Sequence, residues 1–400
     1  MEFSGNKNGW RSLFSGLLPL FVLAHFGHHL LTALPIPLLP MIRSDFSLDY
    51  TQSGWVVSAF SLSYGIGQLP AGWLTDRIGP RLMITIGICG VALAGFFVGL
   101  SQTFLMMIIF LILMGLMGGG YHPASPPIIS ASVHPRNRGR ALGFHMIGGS
   151  ASFFLAPLIA TAIAASWGWR GSFIGLAVPA TAFGILIYVL LGKQKTLKPT
   201  EPGSINGHQE GPPLPGRLRR LITFIFLSTF TGAVIFSTTS FIPLFLVDHL
   251  GYSKETAGAF FAFIYAAGLW MSPLGGHLSD RWGRIPVILT VCFISGPVIY
   301  LLNWVSSGWA VGLLLLSIGM IIYVRMPVSE AYIIGQTFPR RRSAVLGIYF
   351  FSSMEGGGLL TPVMGYLIDH LGFYYSFTLA GTALFTMTLV CSILLRSRPN

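Results

Sequence analysis

Residues 72–81 read "GWLTDRIGPR" and residues 276–285 read "GHLSDRWGRI". Gly, Leu, Asp, Arg and Gly recur at the same spacing, 204 positions apart, in a chain of which only 9% of residues are charged. The offset holds outside the motif as well. "HPRNRGRALG" (134–143) aligns with "FPRRRSAVLG" (338–347), pairing Pro135 with Pro339, Arg136 with Arg340, Arg138 with Arg342 and Gly143 with Gly347. "GWRGSF" (168–173) aligns with "GFYYSF" (372–377), and Pro123 with Pro327. The chain reads as a duplication, so the second charged burst is expected to do what the first does.

The setting of the bursts is apolar. At 53% hydrophobic residues and a mean hydropathy of +0.71, a water-soluble fold of 400 residues would leave large apolar patches exposed. A membrane-spanning helix needs about 20 predominantly apolar residues. Twelve such stretches are expected, near 12–34, 52–74, 82–100, 103–130, 140–165, 171–192, 219–247, 256–278, 285–304, 308–335, 343–367 and 373–395. They group into an N-terminal six-helix bundle (1–192) and a C-terminal six-helix bundle (219–400). The stretch between them (193–218) has the Pro-, Gly- and polar-rich composition of a flexible cytoplasmic linker.

The net charge of +12 raises the question of a nucleic-acid partner, and the placement of the charges answers it. With the N-terminus inside, 20 of the 24 Lys and Arg residues fall on one side, from Lys7 and Arg11 through Arg77, Arg81, Arg136 and Lys193 to Arg340 and Arg398. Arg43, Arg170 and Lys254 fall on the other, and Arg325 lies within a span. This bias orients a multi-pass protein of the cytoplasmic (inner) membrane with both termini cytoplasmic, in contact with lipid and not with nucleic acid. "LFSGLLPLFVLAHFGHHLLTALP" (13–35) reads as the first helix, not a signal peptide. Cys89, Cys292 and Cys391 lie in separate spans without disulfide or zinc spacing.

Two six-helix repeats with G-x-L-x-D-R-x-G after the second and eighth helices resemble the major facilitator superfamily of secondary transporters. The resemblance covers nearly the whole chain. It implies an all-α membrane protein of twelve helices in two pseudo-symmetric bundles, which work as a monomer by alternating access to a midplane site. It also implies that Gly72, Asp76, Arg77 and Gly79, with Gly276, Asp280 and Arg281, form a cytoplasmic latch favouring the outward-open state. Physical reasons accompany that role. Gly72 and Gly276 would let helix ends approach closely, Gly79 and Gly283 would permit a tight turn, and Asp76 could face a helix N-terminus or Arg77. An ordinary charged loop at the membrane interface is the competing reading.

Charge within a span is costly and marks a functional candidate. Arg325 in the tenth span and Glu355 in the eleventh are both placed near the midplane by their distance along the helix. They are expected to pair, with protonation of Glu355 freeing Arg325 for substrate; a permanent structural ion pair is the alternative. Glu330 lies about a turn and a half deeper. In "AHFGHH" (24–29), His25, His28 and His29 share one helical face, and His122 in "GGGYHP" (118–123) lies at comparable depth. Histidine suits proton transfer and metal binding alike. His145 is expected to be structural or interfacial, and His277 to have no substrate role.

"AHFGHHL" and "YHPASPP" are similar to the fosmidomycin-resistance group of drug exporters. His29 and Ala124 stand where that group carries acidic residues, Met114 where many proton-driven exporters carry Arg, and Ala156 before Pro157 where their fifth helix carries Gly. The expectation is a proton-coupled transporter of a small organic solute, more in the manner of an exporter of drug-like or anionic compounds. The alternative is a transporter of a transition metal or metal chelate using the four histidines, with Met117 or Met146 as softer ligands. A channel fits the latch motifs less well. No nucleophile-and-base set or phosphate loop supports an enzyme or direct ATP drive, and no cofactor is expected.

Overall fold

A computed structural model describes residues 17–133, 138–193, 216–306, 308–337 and 342–396. The linker, apart from Lys193 and residues 216–218, lies outside them. So do Lys7, Arg11, Pro135, Arg136, Lys195, Lys198, Pro339, Arg340, Arg341 and Arg398.

Every regular element among the described residues is helical. In chain order these are α1 (Leu18–Thr32), α2 (Leu39–Phe46), α3 (Tyr50–Ile78), α4 (Pro80–Leu100, with a π turn at Ile86–Gly90), α5 (Phe104–Gly118) and α6 (Tyr121–Ser132). They continue as α7 (Arg138–Gly192), α8 (Arg217–Ser240), α9 (Ile242–Asp248), α10 (Lys254–Ala266), α11 (Met271–Trp282), α12 (Arg284–Leu301), α13 (Trp309–Gln336) and α14 (Arg342–Arg396). Seven helices are long and apolar enough to cross a membrane, and α10 with α11 forms an eighth candidate bent by 50°. The two longest, α7 and α14, are each two helices joined at a non-helical glycine. The expected count of twelve is reached only by adding α1, which is short for a span at 15 residues, and the more polar α3.

The duplication is written into the backbone. Gly79 (φ 86°, ψ 148°) and Gly283 (φ 88°, ψ 149°) end the charged motifs in a conformation that a side chain would strain. Gly168 (φ 68°, ψ 175°) and Gly372 (φ 73°, ψ 172°) break α7 and α14. Both pairs keep the 204-residue offset. Gly72 and Gly276 behave differently from expectation: a Cβ on either would meet nothing within 4 Å. Close backbone approach occurs one position earlier, at Gly275, where a Cβ would lie 2.9 Å from the Val324 Cα.

The chain forms two compact units, Met1–Pro35 with Ser63–Gly203 and Ile36–Leu62 with Ser204–Asn400. The core of the first gathers Leu18 and Phe21 of α1, Ile84 and Ile88 of α4, Tyr121 of α6 and Ile187 of α7. That of the second gathers Phe224 of α8, Ile288 of α12, Val328 of α13 and Cys391 of α14. Leu105, Val178, Leu359 and Ile393 remain exposed, as lipid-facing residues do, and the exposed Trp73, Trp167, Trp282, Trp304 and Trp309 stand at helix ends or breaks, where indole suits the membrane interface. Packing of small residues and hydrogen bonds, not solvent exclusion, holds helices together in such a setting.

Residues 36–62, which the repeat assigns to the N-terminal half, pack with the second unit for a polar reason. The first turn of α3 has unsatisfied N–H groups. Asp49 and Gln52 form a reciprocal capping box: the Gln52 N–H donates to Asp49 Oδ1 (2.6 Å) and the Asp49 N–H to Gln52 Oε1 (3.0 Å). Asp369 of α14 takes the next two amides, from Tyr50 (2.9 Å) and Thr51 (2.8 Å), and the Thr51 hydroxyl (2.6 Å). Asp248 accepts from Arg43 (2.8 Å) and the Tyr50 hydroxyl (2.8 Å), while the Arg43 guanidinium lies 4.2 Å from the Tyr50 ring centroid. Burial first, and the hydrogen bond to Asp248 second, hold the Tyr50 phenol well above its ordinary range, so it remains a donor at physiological pH. Asp369→Ala should cost about 1–2 kcal/mol at this exposed cap. Thermal unfolding in detergent measures that loss, and amide exchange at Tyr50 and Thr51 should quicken roughly tenfold; unchanged exchange at these two amides would show that the cap does not hold α3.

Candidate functional site

Each unit carries a buried polar cluster. In the first, α1 presents His25, His28 and His29, all buried, from one face as the i, i+3, i+4 spacing requires. The turn at Gly119 and Gly120 starts α6 at Tyr121, which places Tyr121 and His122 against that face. The rings form a continuous pile: His28 stacks on Tyr121 (centroids 4.5 Å apart), and His25 stacks on Tyr121 (5.5 Å) and on His145 of α7 (4.2 Å). Gly149 makes room, since a Cβ there would lie 2.7 Å from His25 Nε2.

Carbonyl oxygens can only accept, so they assign the protons in this cluster. His25 Nδ1–H donates to the His145 carbonyl (2.8 Å), His28 Nδ1–H to the Gly87 carbonyl in the π turn (3.1 Å) and His145 Nδ1–H to the Phe21 carbonyl (3.1 Å). His28 Nε2 meets the Tyr64 hydroxyl at 2.8 Å, which engages both its nitrogens. His29 Nε2 lies 3.1 Å from His25 Nε2, so one shared proton lies between them, and His29 Nδ1 lies 2.9 Å from Thr32 Oγ1. His122 contacts His25, His28 and His29 by ring and forms no hydrogen bond among the described residues. His145, expected to be structural or interfacial, is thus a member of the cluster. Met117 lies against Gly90 and Met146 is half exposed, so the suggested sulfur ligands are directed elsewhere.

In the second unit, α13 buries Arg325 at 6% exposure. Its Nη1 donates to the Ser228 carbonyl (2.7 Å), to Ser228 Oγ (3.0 Å) and, at the limit of bonding, to the Tyr349 hydroxyl (3.5 Å). Ser228 Oγ also meets Ser329 Oγ (2.7 Å) and the Tyr349 hydroxyl (3.1 Å). Gly232, one turn along α8 from Ser228, admits the guanidinium; a Cβ there would lie 2.7 Å from Nη2. The expected pairing with Glu355 is not formed. Hydroxyls and a carbonyl of α8 and α14 take the guanidinium instead, and Arg325 Nε and Glu355 Oε1 are both buried without a hydrogen-bond partner. Thr229 Oγ1 and Ser353 Oγ are likewise unsatisfied. Glu330, five residues beyond Arg325, is partly buried and forms no ion pair among the described residues.

Asp76, Arg77, Asp280 and Arg281 are all exposed and form no ion pair among the described residues. Arg77 lies 3.8 Å from the Trp73 ring centroid instead of pairing with Asp76.

The 204-residue offset could have found the residues that sequence reasoning missed. It maps Tyr121 onto Arg325, His145 onto Tyr349, His25 onto Thr229 and Ser125 onto Ser329. The two clusters therefore occupy equivalent places in the two repeats.

Comparison with known proteins agrees with the fold. Residues 21–329 match the Major Facilitator Superfamily. The fosmidomycin resistance protein of Escherichia coli (strain K12) is 26% identical over 367 residues, covering 89% of this chain and 87% of that protein. The hexuronate transporter of Bacillus subtilis (strain 168) is 24% identical over 373 residues, covering 86% and 85%. The crystal structure of a bacterial homolog of the human lysosomal transporter Spinster aligns over 98% of this chain and 97% of that one, with a TM-score of 0.74 at 17% identity, a likeness of fold alone. The duplicated motif, the helical membrane fold and these matches together make the chain a member of the Major Facilitator Superfamily, a multi-pass membrane transporter similar to its fosmidomycin-resistance branch.

Proposed function

We propose that the protein exports a small organic anion by proton-coupled alternating access, with Arg325 as the anchor for the anion and Glu355 as the proton carrier. The observation that carries this reading is the condition of Arg325, a buried guanidinium with no carboxylate bonded to it and with Nε unsatisfied. A charge left without a counter-ion at membrane depth is costly, and the cost is tolerated where the counter-ion is exchangeable. The unbonded Glu355 carboxylate gives the second half of the cycle. In the proposed cycle a movement of the helices brings the bare carboxylate to Arg325 in place of the anion, and protonation leaves the guanidinium to the anion. The hydroxyls of Ser228, Ser329 and Tyr349 hold Arg325 in place throughout.

A relative named for fosmidomycin resistance supports the outward direction, and one named for hexuronate supports an anionic solute. In this reading the exposed Asp76, Arg77, Asp280 and Arg281 belong to a cytoplasmic latch, with Gly79 and Gly283 shaping its turns. The protein acts as a monomer in the inner membrane, with both termini cytoplasmic.

Reconstituted vesicles test the assignment, with fosmidomycin and a hexuronate as the first solutes. Arg325→Ala should lower exchange of the transported solute at least about 100-fold, the scale of losing a buried charge-assisted contact; wild-type exchange in that variant would remove Arg325 from the site. Glu355→Gln should keep solute exchange but lose acceleration by an imposed pH gradient, and a retained response would end the coupling role. Asp76→Asn should reach the membrane yet transport slowly, whereas wild-type rates would contradict the latch.

A further inference from the structure

The anion site leaves the histidine pile of the first unit without a task. One nitrogen from each of His25, His29 and His122 lies within 4.8 Å of the other two. We infer that these three side chains form a binding site for a monovalent transition-metal ion, copper(I), separate from the anion site at Arg325.

The donor set is chosen by the hydrogen bonds. His28 has both nitrogens engaged, and His145 lies parallel to His25 instead of converging with it. His25 is fixed by its Nδ1–H bond to the His145 carbonyl, which directs the lone pair on Nε2 towards His29 and His122. A backbone carbonyl behind the ligating ring is a common outer-shell support of metal-bound histidine. His122 meets His25 edge-on, with centroids 5.2 Å apart, and has no hydrogen bond of its own among the described residues. Metal–nitrogen bonds of about 2 Å in a trigonal site set the nitrogens about 3.5 Å apart, so on binding the His25 and His29 nitrogens, 3.1 Å apart here, open slightly and His122 closes onto them.

His29 has to change tautomer, and its surroundings allow that without net proton release. With no metal, its Nε2–H donates to His25 Nε2 and the Thr32 hydroxyl donates to its Nδ1. On binding, the proton leaves Nε2, freeing that lone pair for the metal, and Nδ1 gains one. Nδ1–H then donates to Thr32 Oγ1, whose own hydroxyl turns to the His29 carbonyl, 3.4 Å away. Thr32 is thus a positioning residue that serves both tautomers.

Charge selects the ion. All three ligands are neutral, and the only carboxylate among the described residues of the first unit is Asp76, exposed at the end of α3. The cost of burying an ion rises as the square of its charge, about fourfold from +1 to +2. Imidazole suits copper, zinc, iron and nickel; of these, copper has a stable monovalent state. Met117 packs on Gly90 and Met146 is half exposed, so the proposed site takes nitrogen donors alone.

The test is competition of the purified full-length protein with bicinchoninate for copper(I) under anaerobic conditions, followed by X-ray absorption at the copper edge. One copper(I) per chain is expected, with nitrogen scatterers near about 2 Å and no sulfur. His29→Gln and His122→Gln should each weaken binding about 100-fold or more, and Thr32→Val about tenfold. Tyr64→Phe, which removes the hydroxyl bonded to His28 and keeps the ring that lies against His122, should keep wild-type affinity, and thermal melts confirm that each variant is folded. Failure of the wild type to withdraw copper(I) from the indicator overturns the proposal. Equal affinity in His29→Gln and His122→Gln that melt normally, sulfur scatterers at the edge, or equally tight binding of zinc(II) without an added anion would each do the same.

Discussion

A polar or charged side chain at membrane depth has no water to turn to, so whatever hydrogen bonds it makes must come from the protein or its cargo. This constraint organises the interior of both units. In the first, four imidazoles are reconciled with an apolar environment by backbone carbonyls of Phe21, Gly87 and His145 and by the hydroxyls of Tyr64 and Thr32. In the second, one guanidinium is reconciled by Ser228 and Tyr349, and only in part. Where satisfaction is complete the side chain is structural, as His28 illustrates. It is incomplete at Arg325 Nε and Glu355 Oε1, where we propose that cargo and a proton complete it, and also at His145 Nε2, Thr229 Oγ1 and Ser353 Oγ.

Duplication gave both repeats the same scaffold and left them with different contents. Positions 121 and 325 begin as equivalents and hold a tyrosine and an arginine; positions 145 and 349 hold a histidine and a tyrosine. The repeated glycines at 79 and 283 and at 168 and 372 keep the helices of the two repeats in register, so substitutions at equivalent positions fall at equivalent places. One unit thereby carries a cluster of imidazoles and the other a buried guanidinium. The asymmetry is one of side chains on a common frame, which is how a single fold supports many substrates.

Much of the frame was legible because its signals are local and repeated. The doubled charged motif, its closing glycines, the paired "GWRGSF" and "GFYYSF" breaks and the shared face of His25, His28 and His29 all follow from spacing along the chain. What stayed illegible depends on distant partners. Arg325 and Glu355 were expected to pair because each needs a counter-charge, but Ser228 and Tyr349 reach the guanidinium from elements 97 and 24 residues away. Asp369 caps α3 across more than 300 residues, which draws residues 36–62 to the second unit. Glycine at 72 and 276 suggests close helix packing, yet both positions face open space. Glycine permits contact without requiring it.

The unfinished hydrogen bonding of Arg325 makes it the anchor we propose for an organic anion. The most direct measurement is an experimental structure of the protein with a bound solute that stabilises it. An anionic group of that solute is expected within hydrogen-bond distance of Arg325 Nε, with Ser228 still holding Nη1. A stabilising anion bound elsewhere, with Arg325 Nε still unbonded or closed onto Glu355, would contradict it.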